Sequence, residues 1–274
     1  MGNAAVRSPQ PRIVLLLVEG ESDSTLLAPS LERLIACHVE GAPFRCDVTV
    51  VNQYPVRDTW FTPGKDVRTL VRNRVREHIS QKNGAYRKRD VIRIIQVIDL
   101  DGAFIPHDRV FEDRLLSHVE YGSDRISVPN RARHCELMAE KRRNVDSLRG
   151  LSDIDNIPYR LFFVSRNLEH AFAEDPDVRD LAEKNDLASA HAIQFAQEPD
   201  LFKSMLVLQY AQHLAEARFS TVNTMTLRQA HTVIDQEGLL WNESWKNVLC
   251  SNSLLSLHAG SNLACIPDFI HNAG

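Results

Sequence analysis

Short apolar runs alternate with helix-like segments along the N-terminal part of this chain. The four apolar runs are Arg12–Val18, Asp47–Asn52, Val91–Ile98 and Tyr159–Val164. The segments between them that are expected to be helical are Ser24–Val39, Asp66–Ile79 and Arg131–Leu148. Aliphatic runs without polar alternation are typical of parallel strands that helices cover on both faces. The alternation therefore predicts an α/β fold, with a parallel sheet flanked by helices and right-handed crossovers.

The strand pattern stops near Pro176, and the sequence beyond it has helical periodicity. The helices predicted there are Asp177–Asn185, Asp186–Gln197, Asp200–Ala217 and Thr226–Gln236, with Asp200 as a candidate N-cap. We therefore expect a flexible tail over residues 1–11, an α/β domain over residues 12–175, and a helical region over residues 176–274 that packs on it.

The overall composition narrows the class of protein. A formal net charge of −4 over 274 residues excludes a general polycation, so nucleic-acid binding would need a local basic surface. Basic residues cluster at Arg68–Arg76, Arg87–Arg89 and Arg131–Arg143. We expect no membrane contact, because no apolar run approaches the length of a membrane span and residues 1–11 lack a signal-peptide core. Five cysteines without metal-binding spacing predict reduced thiols and a cytoplasmic protein.

Acidic residues follow three of the four predicted strands. Glu19 follows the first strand, Asp99 and Asp101 the third, and Glu169 the fourth. With strand order 2-1-3-4, these strand ends are neighbours about 5 Å apart, at the edge where open parallel sheets carry their sites. On an extended chain, Asp99 and Asp101 would point to the same side. Carboxylates that converge in this way need a cation, and an all-oxygen ligand set suits Mg²⁺ or Mn²⁺.

Two of these acidic segments resemble motifs of the Toprim domain family. "VEGESDSTLL", residues 18–27, resembles the first motif, in which Glu-Gly follows a hydrophobic strand, and "VIDLDG", residues 97–102, resembles the Asp-x-Asp motif of the third strand. The resemblance covers about residues 12–170 and implies a Toprim-like sheet with Mg²⁺- or Mn²⁺-dependent phosphodiester chemistry. It implies Glu19 as acid/base or metal ligand, and Asp99 and Asp101 as metal ligands.

The resemblance extends to two further acids. Asp23 matches a frequent additional acid of the first motif. "SRNLEH", residues 165–170, resembles the fourth-strand segment of stand-alone, defence-associated Toprim proteins, which adds Glu169 to the implied metal ligands. Lys141, in the last basic cluster, is a candidate for stabilising charge in the transition state.

The family also suggests what the protein acts on. Toprim domains occur in topoisomerases, primases, small RNA-maturing nucleases and overcoming-lysogenization-defect nucleases. This sequence has no evident topoisomerase tyrosine region, no zinc ribbon and no Walker A motif. The resemblance therefore implies a nuclease that cleaves DNA or RNA in phage defence. A homodimer and a partner ATPase are further expectations.

Two other functions fit part of the sequence. "VIDLDGAF" resembles the DxDG motif of haloacid-dehalogenase-like phosphatases, with Asp99 as nucleophile and Asp101 as acid/base. That motif normally lies on the first strand, and Glu19 would have no role. The second alternative is a non-catalytic Toprim-like module that binds a partner ATPase. In that case the apolar segment at residues 202–217 is either a docking or dimer surface or a cover for the protein's own core.

Structural roles for the same acids also remain open. Glu21 and Asp23 favour the dipole of a helix that begins there. Asp101 with Gly102 is a common turn pair. Asn167 and Glu169 are suited to capping the next helix.

Overall fold

The structure is a computed structural model that describes residues 12–38, 44–51, 66–82, 84–173, 181–219, 225–251 and 253–271. The strands are β1 (Arg12–Val18), β2 (Phe44–Val50), β3 (Val91–Asp99), β4 (Val110–Glu112), β5 (Glu120–Tyr121), β6 (Ile126–Val128), β7 (Asp153–Ile154) and β8 (Ile157–Val164). The helices are α1 (Glu21–His38), α2 (Val67–Gln81), α3 (Arg131–Arg149), α4 (Leu168–Ala173), α5 (Leu181–Gln197), α6 (Pro199–Phe219), α7 (Leu227–Glu237), α8 (Trp241–Lys246) and α9 (Ile266–His271). The expected N-terminal tail lies outside the described residues.

The protein has an α/β fold with a mixed central sheet flanked by helices. The sheet has the order β2-β1-β3-β8-β7. The pairs β1/β2, β1/β3 and β3/β8 are parallel, and β7 pairs antiparallel with β8. The four main strands therefore have the order 2-1-3-4, which is the condition on which the expected meeting of the acids depends. The short antiparallel strand β7 makes the sheet mixed rather than purely parallel.

From Ile13 to Val18, every residue of β1 is aliphatic and buried, because helices cover both faces of the sheet. Val14, Leu16 and Val18 belong to one core cluster, which residues of α1, α5 and α6 complete. The alternate residues of β1 belong to a second cluster with residues of α2, α3 and α8. Each fully buried aliphatic side chain contributes about 1.5–3 kcal/mol through removal from water, so this strand anchors both layers.

The C-terminal helices complete the first of these cores. In α6, Phe202, Leu206, Tyr210 and Leu214 lie inside that cluster. On another face of α6, Val207 and Ala211 pack against Ala230 of α7. The apolar segment at residues 202–217 thus covers the protein's own core, and its described apolar side chains are not an open docking surface.

Two details of the helical region differ from the sequence prediction. The helices predicted over 177–185 and 186–197 are one continuous helix where they are described, since α5 runs from Leu181 to Gln197. The sequence around the predicted boundary at Asn185 and Asp186 contains no glycine or proline, so nothing local ends a helix there. Helix α6 begins at Pro199, so Asp200 lies in its first turn and is not the N-cap.

The chain forms a second, small sheet after β3 and before α3. Strands β4, β6 and β5 pair in that order, with β4 parallel and β5 antiparallel to β6. Its buried residues Ile105, Val110, Ile126 and Val128 form a separate cluster with Leu257. No strand or helix is predicted there from the sequence. We call residues 105–128 the insertion sheet.

A C-terminal segment, residues 253–262, runs along the end of β8, and we call it the strap. The N–H of Ser165 donates to the carbonyl of Gly260 at 2.7 Å, and that of Arg166 donates to Ser256 at 3.0 Å. The side chain of Asn262 accepts a hydrogen bond from the N–H of Phe163 at 2.8 Å. The strap therefore satisfies backbone groups at the end of β8 and just beyond it, where the short strand β7 does not reach.

Candidate active site

The turn after β1 is closed by one of the predicted acids. Asp23 lies in the first turn of α1, and its Oδ2 accepts a hydrogen bond from the N–H of Gly20 at 2.9 Å. A carboxylate at this position also opposes the positive end of the helix dipole. Asp23 thus has the structural role considered from the sequence, and it fixes the turn that carries Glu19.

The turn after β3 departs from the extended geometry that the sequence argument assumed. The strand ends at Asp99, and Asp101 and Gly102 adopt left-handed backbone conformations with φ of 47° and 69°. The N–H of Asp101 donates to the carbonyl of Arg166 at 2.9 Å, which ties this turn to the end of β8. Asp99 and Asp101 were expected to point to the same side on an extended chain, but the chain is not extended at Asp101, so that reasoning is wrong. A hydrogen-bonded turn holds Asp101 in place instead.

Lys141 lies among these carboxyl groups. Its Nζ is 2.6 Å from Oδ2 of Asp101 and 3.5 Å from Oε2 of Glu19, and its side chain is 2% exposed. Oε2 of Glu19 also accepts a hydrogen bond from the N–H of Asp99 at 3.3 Å. The structure therefore brings together four residues that the sequence analysis singled out, from β1, β3 and α3.

Burial and mutual repulsion change the protonation of this cluster. Burial raises the pKa of Glu19 to about 7, which Lys141 opposes and the carboxyl groups of Asp101 and Asp23 reinforce. Burial, followed by repulsion from Asp23, Asp101 and Glu19, raises the pKa of Asp99 well above its ordinary value. One lysine does not neutralise the group, so the cluster has a strong demand for further positive charge.

Glu169 and Asp23 form an adjoining acidic pair. Glu169 is 8% exposed, and its Oε1 is 3.1 Å from Nζ of Lys184 in α5. Burial raises the pKa of Asp23, and repulsion from Glu169 adds to the effect. Asn167, rather than Glu169, caps α4, because its Oδ1 accepts the N–H of His170 at 2.9 Å.

The donor set suits a hard divalent cation only in part. The buried Oε1 of Glu19 has no hydrogen-bond partner among the described residues, as expected for an oxygen that would coordinate a bound cation. No three His, Cys, Asp or Glu side chains in the described ranges are arranged so that they could hold a metal ion together. The ammonium group of Lys141, between Glu19 and Asp101, occupies part of the space where such a cation would bind.

Three side chains at the site were missed by the sequence reasoning. Tyr121 of β5 lies with its ring 4.5 Å from the guanidinium carbon of Arg166, which is 3% exposed and has a φ of 62°. His134 lies two turns before Lys141 in α3 and is 7% exposed. Burial lowers its pKa, an effect that Asp101 opposes. An isolated aromatic residue, arginine or histidine carries no spacing signal, so only the fold identifies them.

Most basic residues of the three clusters make intramolecular contacts. Arg68 donates to the carbonyl of Ser147, and Arg76 pairs with Asp155 at 2.6 Å. Arg142 donates to the carbonyl of Ala103 at 2.7 Å. Arg131 and Arg74 bond the carbonyls of Val110 and Val50. These guanidinium groups hold elements together, which reduces the basic surface available for a polyanion.

Comparison of this chain with profiles of known protein families, with curated proteins and with solved structures found no match. None of the helices in the described part of the chain is long and apolar enough to cross a membrane. The fold class therefore comes from the architecture alone, and the function has to be inferred from the site.

Proposed function

We propose that the protein is a Toprim-like hydrolase that uses Mg²⁺ or Mn²⁺ to cleave phosphodiester bonds of DNA or RNA. The observation that carries the proposal is the meeting of acids from the ends of three neighbouring parallel strands. Glu19 and Asp23 follow β1, Asp99 and Asp101 follow β3, and Glu169 follows β8. Their electrostatic demand for a cation exceeds what the two lysines paired with them supply.

Each side chain has a defined part in this proposal. No three of these side chains are arranged to hold a metal together among the described residues, so the proposal requires them to rearrange around the cation. Glu19, Asp99 and Asp101, with Asp23 and Glu169 beside them, would then hold the metal, which would polarise a phosphoryl oxygen and lower the pKa of a bound water. Glu19 has two alternative parts: as a metal ligand it would lose to the cation the proton that its raised pKa of about 7 retains in the metal-free protein, and if it does not bind the metal it would move a proton near neutral pH. Lys141 would release Asp101 when a cation binds there, and its ammonium group would then stabilise negative charge on the phosphoryl oxygens.

The test is cleavage of single- and double-stranded DNA and of RNA by the purified chain, with Mg²⁺ and with Mn²⁺. Asp99→Asn and Glu19→Gln should each lower the cleavage rate by about 100-fold or more, because a carboxylate essential to the site is lost. The matched control is Asp146→Asn, an exposed carboxylate of α3 whose removal should leave cleavage unchanged. Calorimetric titration with Mn²⁺ should show binding to the wild type and to the control. Cleavage that survives in Asp99→Asn would refute the proposal.

A phosphatase of the haloacid-dehalogenase class is the second candidate. The Asp-x-Asp-Gly turn at the end of β3, the middle strand of the sheet, favours it. It gives no role to Glu19, whose Oε2 is hydrogen-bonded to the backbone of Asp99. Hydrolysis of small phosphomonoesters that beryllium fluoride inhibits, without cleavage of polynucleotides, would favour this candidate over the nuclease.

The biological setting is part of the proposal and rests on the Toprim resemblance. We infer a cytoplasmic nuclease of phage defence that acts as a homodimer or with a partner ATPase. Cys37, Cys46, Cys135 and Cys265 are free thiols, in keeping with a reducing compartment. A non-catalytic module that regulates such an ATPase would bind Mn²⁺ or nucleic acid without cleavage, and assays with neighbouring gene products would identify it.

A further inference from the structure

The strap connects the acidic site to the insertion sheet through several contacts. The carbonyl of Ser256 holds the backbone of Arg166, and Leu257 packs in the same cluster as Ile126 of β6. The next residue, His258, has each of its ring nitrogens at hydrogen-bond distance from a different element. This ring therefore joins parts of the chain that are far apart in sequence.

Both ring nitrogens of His258 face hydrogen-bond acceptors. Its Nδ1 is 3.0 Å from Oε2 of Glu216 in α6, and its Nε2 is 3.0 Å from the carbonyl oxygen of Ser123. A carbonyl oxygen can only accept, and an ionised carboxylate can only accept as well. Both ring nitrogens must then donate, which only the imidazolium form can do.

Ser123 belongs to the hairpin that brings Tyr121 to the site. The hairpin turn between β5 and β6 is closed by the N–H of Gly122, which donates to the carbonyl of Arg125 at 2.9 Å. Two residues before Ser123, the ring of Tyr121 lies against the guanidinium group of Arg166. Burial, followed by the negative charge of Asp101, raises the pKa of the Tyr121 hydroxyl, which marks its closeness to the acidic cluster.

We propose that His258 is a positioning residue whose protonated ring clamps the β5–β6 hairpin to α6 and so keeps Tyr121 over the acidic site. The strap holds Arg166 through the carbonyl of Ser256. It holds the hairpin that carries Tyr121 through the hydrogen bond from the ring of His258 to Ser123. Loss of the proton would leave one of the two acceptors without a donor, and the hairpin would open. The proposal concerns the covering of the site and does not depend on which reaction the site performs.

The charged groups around His258 support a clamp that responds to pH. Its hydrogen bond to Glu216 raises the pKa of His258 above its ordinary value of 6.5. His213 lies on α6, as Glu216 does, and burial lowers its pKa to about 4. It therefore stays neutral and does not compete with His258 as a cation for Glu216. On the hairpin, Asp124 pairs with Arg109 and Arg125. The clamp is therefore fully engaged below pH 6.5 and is released as the pH rises through the raised pKa.

Hydrogen exchange of the hairpin amides, residues 120–128, tests the clamp without any assay of activity. At about pH 6 and about pH 8.5, with exchange times corrected for the intrinsic rates, the wild-type hairpin should be roughly tenfold less protected at the higher pH. His258→Gln should show the low protection at both pH values, and His258→Arg should keep the high protection at both. His107→Gln, an exposed histidine of the same insertion, is the matched control and should behave as the wild type.

A second measurement examines the ring itself in the unmodified chain. Long-range ¹H–¹⁵N NMR spectra should show both ring nitrogens of His258 protonated below pH 6.5, with a pKa above that value, and Glu216→Gln should lower the pKa. The proposal is overturned if His258 titrates below 6.5, or if His258→Gln keeps the wild-type pH dependence of exchange. Because neither readout involves a metal or a polynucleotide, failure of the nuclease proposal would leave this result unaffected.

Discussion

The ammonium group of Lys141 lies 2.6 Å from the carboxylate of Asp101, with the lysine side chain 2% exposed. A buried lysine is stable as a cation only where carboxylates offset its loss of hydration. Glu19, 3.5 Å away, is its second partner. The pair joins α3 to the ends of β1 and β3, so the same contact serves the fold and the acidic site.

Lys141→Met should destabilise the protein, because it leaves buried carboxylates without their cation. We expect a loss of about 3 kcal/mol in the free energy of unfolding at about pH 8. The loss should shrink at about pH 5, because the raised pKa values of Glu19 and Asp99 favour their neutral forms there. Urea unfolding at the two pH values measures the effect. Lys203→Met, an exposed lysine of α6, is the control and should change the stability by less than about 0.5 kcal/mol.

Glu19 should make the protein less stable as the pH rises toward 7. The pKa of Glu19 is raised by burial from 4.5 to about 7, so the folded state retains its proton where the unfolded chain has released it. The stabilisation is complete below pH 4.5 and is lost between pH 4.5 and about 7. The upper bound of the change is about 3 kcal/mol.

Glu19→Gln removes this titration and tests the preceding prediction. The glutamine has a similar shape and no charge, so the variant should lose part of the decline in stability between about pH 5 and about pH 8. Urea unfolding of both proteins at several pH values gives the comparison. Parallel pH profiles for the two proteins would show that Glu19 titrates normally in the fold.

The sequence predicted the parts of the fold that depend on local pattern. The apolar runs located β1 and β3 to within a residue, and Asp66, at the predicted start of α2, is its N-cap. The insertion sheet has strands of only two or three residues, held by contacts with Leu257, which lies more than a hundred residues further on. No local periodicity indicates strands of that kind.

The candidate site was predictable to a similar degree. The strand-end acids could be proposed because parallel strands bring their carboxyl ends to one edge. The partner of Asp101 could not be derived, because Lys141 reaches it from another element, and Lys141 is one of many cations in a charged helix. The turn at Asp101 and Gly102 is one of the roles that the sequence left open, but its left-handed conformation at Asp101 and its hydrogen bond to Arg166 were not indicated by the local pattern.

Asp47 should stabilise the outer part of the sheet. Its carboxylate lies 2.8 Å from Nε2 of His78 and 2.8 Å from Nζ of Lys82, and it also accepts a hydrogen bond from the hydroxyl of Tyr86. These hydrogen bonds outweigh burial and hold the pKa of Asp47 far below its usual value of 3.8. Its stabilisation is therefore present above about pH 4 and is lost as the pH falls below that value.

Asp47→Asn is the substitution that measures this contribution. We expect a loss of roughly 2 kcal/mol in the free energy of unfolding at about pH 7, because a carboxylate that accepts three hydrogen bonds becomes a neutral amide. The control is Asp146→Asn, which removes an exposed carboxylate from α3. If both variants unfold at the same urea concentration, the Asp47 cluster does not stabilise the fold.

Gly102 is required by both its backbone conformation and its neighbours. Its φ is 69°, and a Cβ there would lie 2.6 Å from Cδ1 of Ile126 and 2.9 Å from Cδ2 of Leu257. Gly84 has a φ of 86° with no atom within 4 Å of such a Cβ, so it isolates the backbone effect. Gly84→Ala should lower the free energy of unfolding by about 1 kcal/mol, and Gly102→Ala by about 3 kcal/mol. Urea unfolding of the two variants gives the difference between these losses. The difference measures how tightly Ile126 of the insertion sheet and Leu257 of the strap pack against the turn at Gly102. Equal losses would mean that this packing is loose.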